Sequence, residues 1–119
     1  MDSTLAFTPY SGDLIGLPVN KNHLVFRWNK PNCKILFSVS RRGSAASCHF
    51  ASNKPGLRYI KQAIAAFVQF VFWIFDWCIM VIAQVNTPSV GRLIEKLGFE
   101  AFADCEEGTL YMRQNHELC

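Results

Sequence analysis

The chain has little charge, no metal-ligand cluster and no tract of low complexity. Lys, Arg, Asp and Glu together make 18 % of its 119 residues, against 50 % apolar and 13 % aromatic. Such a balance excludes a charge-solvated, disordered class and implies one greasy domain with a single core. The five cysteines, Cys33, Cys48, Cys78, Cys105 and Cys119, form no Cys-x-x-Cys pair, and no secretory leader is read ahead of them. That excludes a disulfide framework and implies a reducing compartment. His23, His49 and His116 are dispersed, so no zinc spacing exists and no metal is expected. Cys48 and His49 are adjacent, but neighbours in a strand point to opposite faces and do not make a nucleophile and its base. A net charge of +3 permits an acidic partner without requiring one. No stripe of Lys and Arg interleaved with aromatics is present, so nucleic-acid binding rests only on Lys21, Arg27, Lys30, Lys34, Arg41 and Arg42 gathering in one region.

What is present is a long apolar run over residues 63–85, about the length of a bilayer crossing. Gln69, Asp76 and Gln84 interrupt it, and an Asp near the centre of a span costs roughly 2.5–3.5 kcal/mol. The run reads better as the end of a helix, a turn at Phe75-Asp76-Trp77 and a buried parallel strand over 78–83, so no membrane span is expected. Asp76 then sits in a turn.

Around that run the periodicity changes in order. Residues 1–21 form an irregular lead-in marked by Pro9, Gly12, Gly16 and Pro18. Residues 23–28 and 34–40 alternate as strands about the turn-forming Asn29-Lys30-Pro31-Asn32, and Arg41-Arg42-Gly43-Ser44 leads into a third strand over 45–51. From Leu57 the apolar residues Ile60, Ile64, Phe67, Val68, Val71 and Phe75 fall at helical spacing. The polar face is narrow, which predicts a helix nearly surrounded by protein. After the buried strand, Asn86-Thr87-Pro88-Ser89-Val90-Gly91-Arg92-Leu93-Ile94-Glu95-Lys96-Leu97-Gly98-Phe99 reads as cap, short helix, glycine stop and new strand. Thr87 is expected to cap through its side chain, Pro88 suits the first helical position and Gly98 suits a left-handed stop. Residues 99–103 and 109–113 then predict a closing hairpin.

This last signature, with the buried strand before it, resembles the C-terminal half of the GNAT (N-acetyltransferase) superfamily, and the order of elements extends the resemblance over residues 23–113. The resemblance implies an α/β (α+β) fold on a mixed sheet: three antiparallel strands, a long helix, a buried parallel strand, a short helix and a C-terminal hairpin. One domain over 1–119, with its core at 22–113, is expected. In that family the acyl-CoA pyrophosphate rests on backbone N–H groups of a glycine-rich loop before the long helix. The matching residues are 53–59, so the resemblance marks Lys54, Gly56 and Arg58 as the remnant of an acetyl-CoA seat. Pro55 removes a donor there and only one glycine remains. The position of the tyrosine that protonates the departing thiolate holds Ile94, which has no proton to give; Tyr111 is the weak substitute.

A Phe72-x-x-x-Asp76-Trp77 arrangement before the buried strand is similar to small phage-encoded GNAT-like proteins without the standard loop. The resemblance implies a phage or mobile-element protein without catalysis and without a cofactor. It would bind a viral or host protein in virion assembly, DNA delivery or inhibition of host machinery, in the cytoplasm or on the virion, and self-association would cover an exposed sheet face. The alternative is an active acetyl-CoA-dependent N-acetyltransferase, with Lys54, Gly56 and Arg58 holding the cofactor.

Overall fold

A computed structural model describes residues 6–19, 22–106 and 108–115. Strands β1 (Phe7–Pro9), β2 (Leu24–Trp28), β3 (Ile35–Arg42) and β4 (Ala45–Ser52) are followed by a 3-10 turn (Pro55–Tyr59) and helix α1 (Ile60–Ile74). Strand β5 (Met80–Val85), helix α2 (Pro88–Glu95) and strands β6 (Glu100–Cys105) and β7 (Gly108–Gln114) complete the chain. All seven strands join one sheet in the order β1-β2-β3-β4-β5-β7-β6. The pair β4–β5 is parallel and every other neighbouring pair is antiparallel. This is the mixed sheet that the order of elements implies, with one strand more: Phe7-Thr8-Pro9 of the lead-in pairs with β2, Phe7 opposite Trp28.

The core lies between the sheet and the two helices. Period-two alternation sends Ile35, Phe37 and Val39 of β3 into it, while α1 contributes Ile60, Ala63, Ile64, Phe67, Val68, Phe70 and Val71. Phe67 lies on Phe37 with ring centroids 4.2 Å apart and planes 11° from parallel, and Phe7 meets Phe67 edge-on at 5.2 Å. Through Phe7 the lead-in strand is therefore part of the main aromatic cluster. On the opposite face of β3, the Ser38 hydroxyl donates to the Pro18 carbonyl at 3.3 Å, and Leu17 is buried beside it.

Two expectations are corrected here. The long helix is covered along one side only: Lys61, Gln62, Gln69, Trp73 and Ile74 are exposed, Trp73 at 59 %. No second layer packs on the far side of α1 among the described residues, so the narrow polar face did not require one. With the 3-10 turn, α1 is long and apolar enough to cross a bilayer by length and composition, and here it lies on the sheet. Thr87 caps α2 through its backbone: its carbonyl accepts from Val90 and Gly91 at 3.0 and 3.1 Å, while its hydroxyl donates to Asn86 Oδ1 at 3.2 Å.

At its other end α2 stops as its sequence demands. The Phe99 N–H reaches the Ile94 carbonyl and the Gly98 N–H reaches that of Glu95, both at 3.1 Å, with Gly98 at φ +91°. These two bonds are those of a Schellman motif. Ile94 and Phe99, the two residues that such a motif brings into apolar contact, are both buried in the core.

Candidate functional site

The parallel pair is where the sheet opens. β4 and β5 are in register from Ala45 opposite Met80 to Cys48 opposite Ala83, and no further. β4 nevertheless continues to Ser52 and β5 to Val85, so the two strands part beyond Cys48 and Ala83. A cavity of about 460 Å³ occupies the gap, walled by Phe37, Cys48, His49, Phe50, Ile64, Phe67, Val81, Ala83, Ile94 and Phe99, with Asn86 and Thr87 at one side and Pro18 at another. A pocket of this size with mostly apolar walls and a few polar groups is the usual form of a small-molecule site.

Two reactive side chains face it. Burial pushes the Cys48 thiol far above its ordinary value, and the neighbouring Cys78 adds to the effect; it stays protonated and is a poor nucleophile. His49 is half-buried, and its ring stands edge-on to that of His23 with centroids 6.0 Å apart. Burial first, and the second imidazole next, lower its pKa, so it is a neutral base at pH 7. Sequence reading set His49 aside as a zinc ligand, for want of local spacing, and as a base for adjacent Cys48. The pairings Leu24 with Val39 and Val39 with Cys48 bring the flanking His23 and His49 together, and only the sheet register reveals that.

The residues marked by the family resemblance lie elsewhere. Lys54, Gly56 and Arg58 are at the start of the 3-10 turn and do not line the cavity. The Gly56 N–H donates to Asn53 at both its carbonyl (3.1 Å) and its Oδ1 (3.0 Å), and the Leu57 N–H donates to the Lys54 carbonyl at 3.2 Å. Gly56 faces inward: a Cβ there would strike Ser52 Oγ and lie 2.8 Å from Ile35 Cγ1. This glycine permits close packing against β3 and β4. Leu57 and Tyr59 do not fill the cleft either. Leu57 is exposed, and Tyr59 is held beside Trp28, with Lys30 Nζ 4.6 Å and the Arg58 guanidinium 5.3 Å from its ring centre.

Tyr111 faces a second hollow of about 350 Å³ beneath α2, with Asn86, Thr87, Arg92, Glu95 and Thr109. Its hydroxyl lies 3.5 Å from Glu95 Oε2. Desolvation, then the Glu95 charge, raises its pKa, so it holds its proton more firmly than a free tyrosine. A Cβ on Gly91 would come within 2.7 Å of that hydroxyl. Two effects therefore oppose each other in Gly91→Ala. Helix propensity favours alanine by about 1 kcal/mol, while crowding of a filled site costs about 1–3 kcal/mol. Gly91→Ala is expected to lower the melting temperature, and in a Tyr111→Phe background to raise it; a double-mutant cycle by thermal melts checks the reversal of sign.

The cations do not share one face. Lys34 precedes β3 and Arg41 and Arg42 end it, so they stand at opposite ends of the sheet, Lys34 over Tyr10 and Arg41 over Trp77. Lys21 and His116 lie outside the described residues. Asp76 is exposed in the turn after α1.

No family model matches the chain, and no curated protein matches it by sequence. Solved structures do match by shape. A chimera of the Vibrio cholerae spermidine N-acetyltransferase SpeG with hSSAT superposes with a TM-score of 0.69 at 13 % identity, over 80 % of this chain and 69 % of that one. The Campylobacter jejuni N-acetyltransferase PseH, also solved in complex with acetyl coenzyme A, gives 0.65 at 10 % identity over 81 % and 70 %. An uncharacterized Bacillus halodurans protein gives 0.66 at 10 % identity over 80 % and 60 %.

Proposed function

We propose that this chain, which has the GNAT fold, has lost acetyl transfer and acts by binding protein. The observation that carries the reading is the closed seat before α1. The chain's own Asn53 and Lys54 accept the Gly56 and Leu57 N–H groups, and Pro55 has none to offer. A pyrophosphate placed there would have to displace bonds already made. Ile94 adds to this: it lines the cleft where a departing thiolate would need a proton, and it carries none. Exposed Trp73, Ile74, Ile79 and Phe102 supply apolar surface for a partner. The resemblance around Phe72 and Trp77 supports a phage or mobile-element protein working on virion assembly, DNA delivery or host machinery. Calorimetric titration with acetyl-CoA is expected to show no binding in the micromolar range, and binding at that affinity would sink this reading.

One observation favours a second reading, an acetyl-CoA-dependent N-acetyltransferase. The cleft is open, and neutral His49 stands in its wall. An amine attacking the thioester carbonyl would lose its proton to His49 as the carbon–sulfur bond breaks and CoA leaves as thiolate. With spermidine as acceptor, a free-thiol assay separates the readings. CoA release that His49→Ala abolishes establishes the enzyme, whereas silence from the native protein supports the binding role.

A further inference from the structure

The charges of this chain are segregated along its length. Between residues 14 and 75 there are nine Lys and Arg and no Asp or Glu; from residue 76 onward there are seven Asp and Glu and three Lys and Arg. Among the described residues the strand order β1-β2-β3-β4-β5-β7-β6 turns that segregation into a lateral polarity, with Arg27, Lys30, Lys34, Arg41 and Arg42 on the β1–β4 half and Glu100, Asp104 and Glu106 on the β5-β7-β6 half. Each end of the polarity is a sheet edge.

The acidic edge is uncovered. All six residues of β6 are exposed, and among the described residues its outer side has no neighbouring strand. Glu100 and Asp104 are exposed on it, Asp104 Oδ1 accepting from the Thr109 hydroxyl of β7 at 3.1 Å, and Phe102, 48 % exposed, sits at a bulge between the pairs Ala101 with Tyr111 and Ala103 with Leu110. Such an edge is a template for another chain unless charge selects the partner. A twofold pairing of β6 with its own copy about Phe102 would set Glu100 against Asp104, and like charges directly opposite destabilise. β1 itself is uncharged, and the cations stand just behind it: Arg27 of β2, opposite Thr8, donates to the Cys33 carbonyl at 3.2 Å, and Lys34, which precedes β3, has its Nζ 4.8 Å from the centre of the Tyr10 ring. Lys30 follows in the next turn. Asp13 is the carboxylate nearby, and its Oδ1 accepts the Ile15 N–H. Pro9 has no N–H to extend a ladder, so side-chain charge selects the pairing here.

We propose that the acidic β6 edge of one copy docks on the basic β1–β2 edge of a second copy, giving a head-to-tail, non-closing assembly. This names a partner for the binding role above and rests on that reading, although a protein that proved monomeric would leave the acetyl-CoA titration as it stands. The two surfaces are different patches of one chain, so the contact is heterologous and extends until it is capped.

Sedimentation of the full chain at low ionic strength is expected to show mass rising with concentration without a plateau, and collapse to monomer at about 0.5 M salt, where the screening length falls to a few Å. Glu100→Lys with Asp104→Lys, and separately Lys30→Glu with Lys34→Glu, should each give a monomer with a native circular dichroism spectrum. Mixed in equal amounts, the two variants should form a 1:1 complex that grows no further, because each keeps one competent edge. A native chain that stays monomeric at low salt overturns the proposal, as does association indifferent to salt or a mixture that fails to pair. Retardation of duplex DNA by a chain that does not self-associate would also overturn it, assigning the cations to a polyanion instead.

Discussion

Phe67→Ala is expected to destabilise the protein by about 3–5 kcal/mol, the range for removing a buried phenylalanine without refilling its space. Phe67 is 2 % exposed, stacks on Phe37 at 4.2 Å and touches the rings of Phe7, Phe26 and Phe70. It is also a wall of the cleft, so truncation enlarges an existing cavity that the surroundings have no means to close. Against a total stability of roughly 5–15 kcal/mol for a domain, a loss of this size leaves a large unfolded fraction at growth temperature. Denaturant titration should show a much lower midpoint with an unchanged slope. A midpoint close to that of the native chain would mean that the aromatic cluster does not hold α1 to the sheet. Phe67→Leu, which keeps most of the volume, should lose far less.

Gly98→Val should cost about 1–3 kcal/mol, more than the roughly 1 kcal/mol of a generic glycine replacement. At φ +91° a β-branched residue is strained whatever the space around it, and Arg113 Nε lies only 3.2 Å from where a Cβ would stand. Relieving the strain means giving up the Phe99-to-Ile94 and Gly98-to-Glu95 bonds, and with them the apolar closure between Ile94 and Phe99. At roughly 4–8 °C per kcal/mol for a domain of 60–100 residues, the drop is easily read in a thermal melt. Gly98→Asn is the milder companion, since asparagine tolerates the left-handed region better. A valine variant as stable as the native chain would remove the glycine stop as the reason that α2 ends where it does.

The elements from β2 onward were legible because each announces itself locally. The shift from period two to helical spacing after Ser52 locates α1, and Pro88 with Gly98 bounds α2. β1 was not legible, because three residues ending in proline carry no periodicity; they form a strand only because the free side of β2 offers Trp28 and Arg27 as partners. The exposure of Trp73 was missed for a related reason, since a helix pattern reports which side is apolar and not how many layers cover it. At the site the difference is sharper. The cleft exists because two strands stop pairing after Cys48 and Ala83, and no residue in either strand marks that point in sequence. Family resemblance directed attention to residues 53–58, whose Gly56 and Leu57 N–H groups are taken by Asn53 and Lys54, while His49, set aside in sequence beside Cys48, stands in the wall of the opening.

The same parting of β4 and β5 bears on how the chain reaches its fold. β1 to β4 are stitched antiparallel, each strand to the one before it in sequence, while β6 and β7 close a short hairpin to which β5 pairs across the length of α2 and β6. The single parallel pair joins strands separated by the whole of α1. Ordering that crossover comes before any reward from pairing, and long-range parallel contacts form slowly for this reason. The four-residue seam between the β1–β4 block and the β5–β7 block is therefore expected to form late in folding, and it is the seam beside which the cavity remains open.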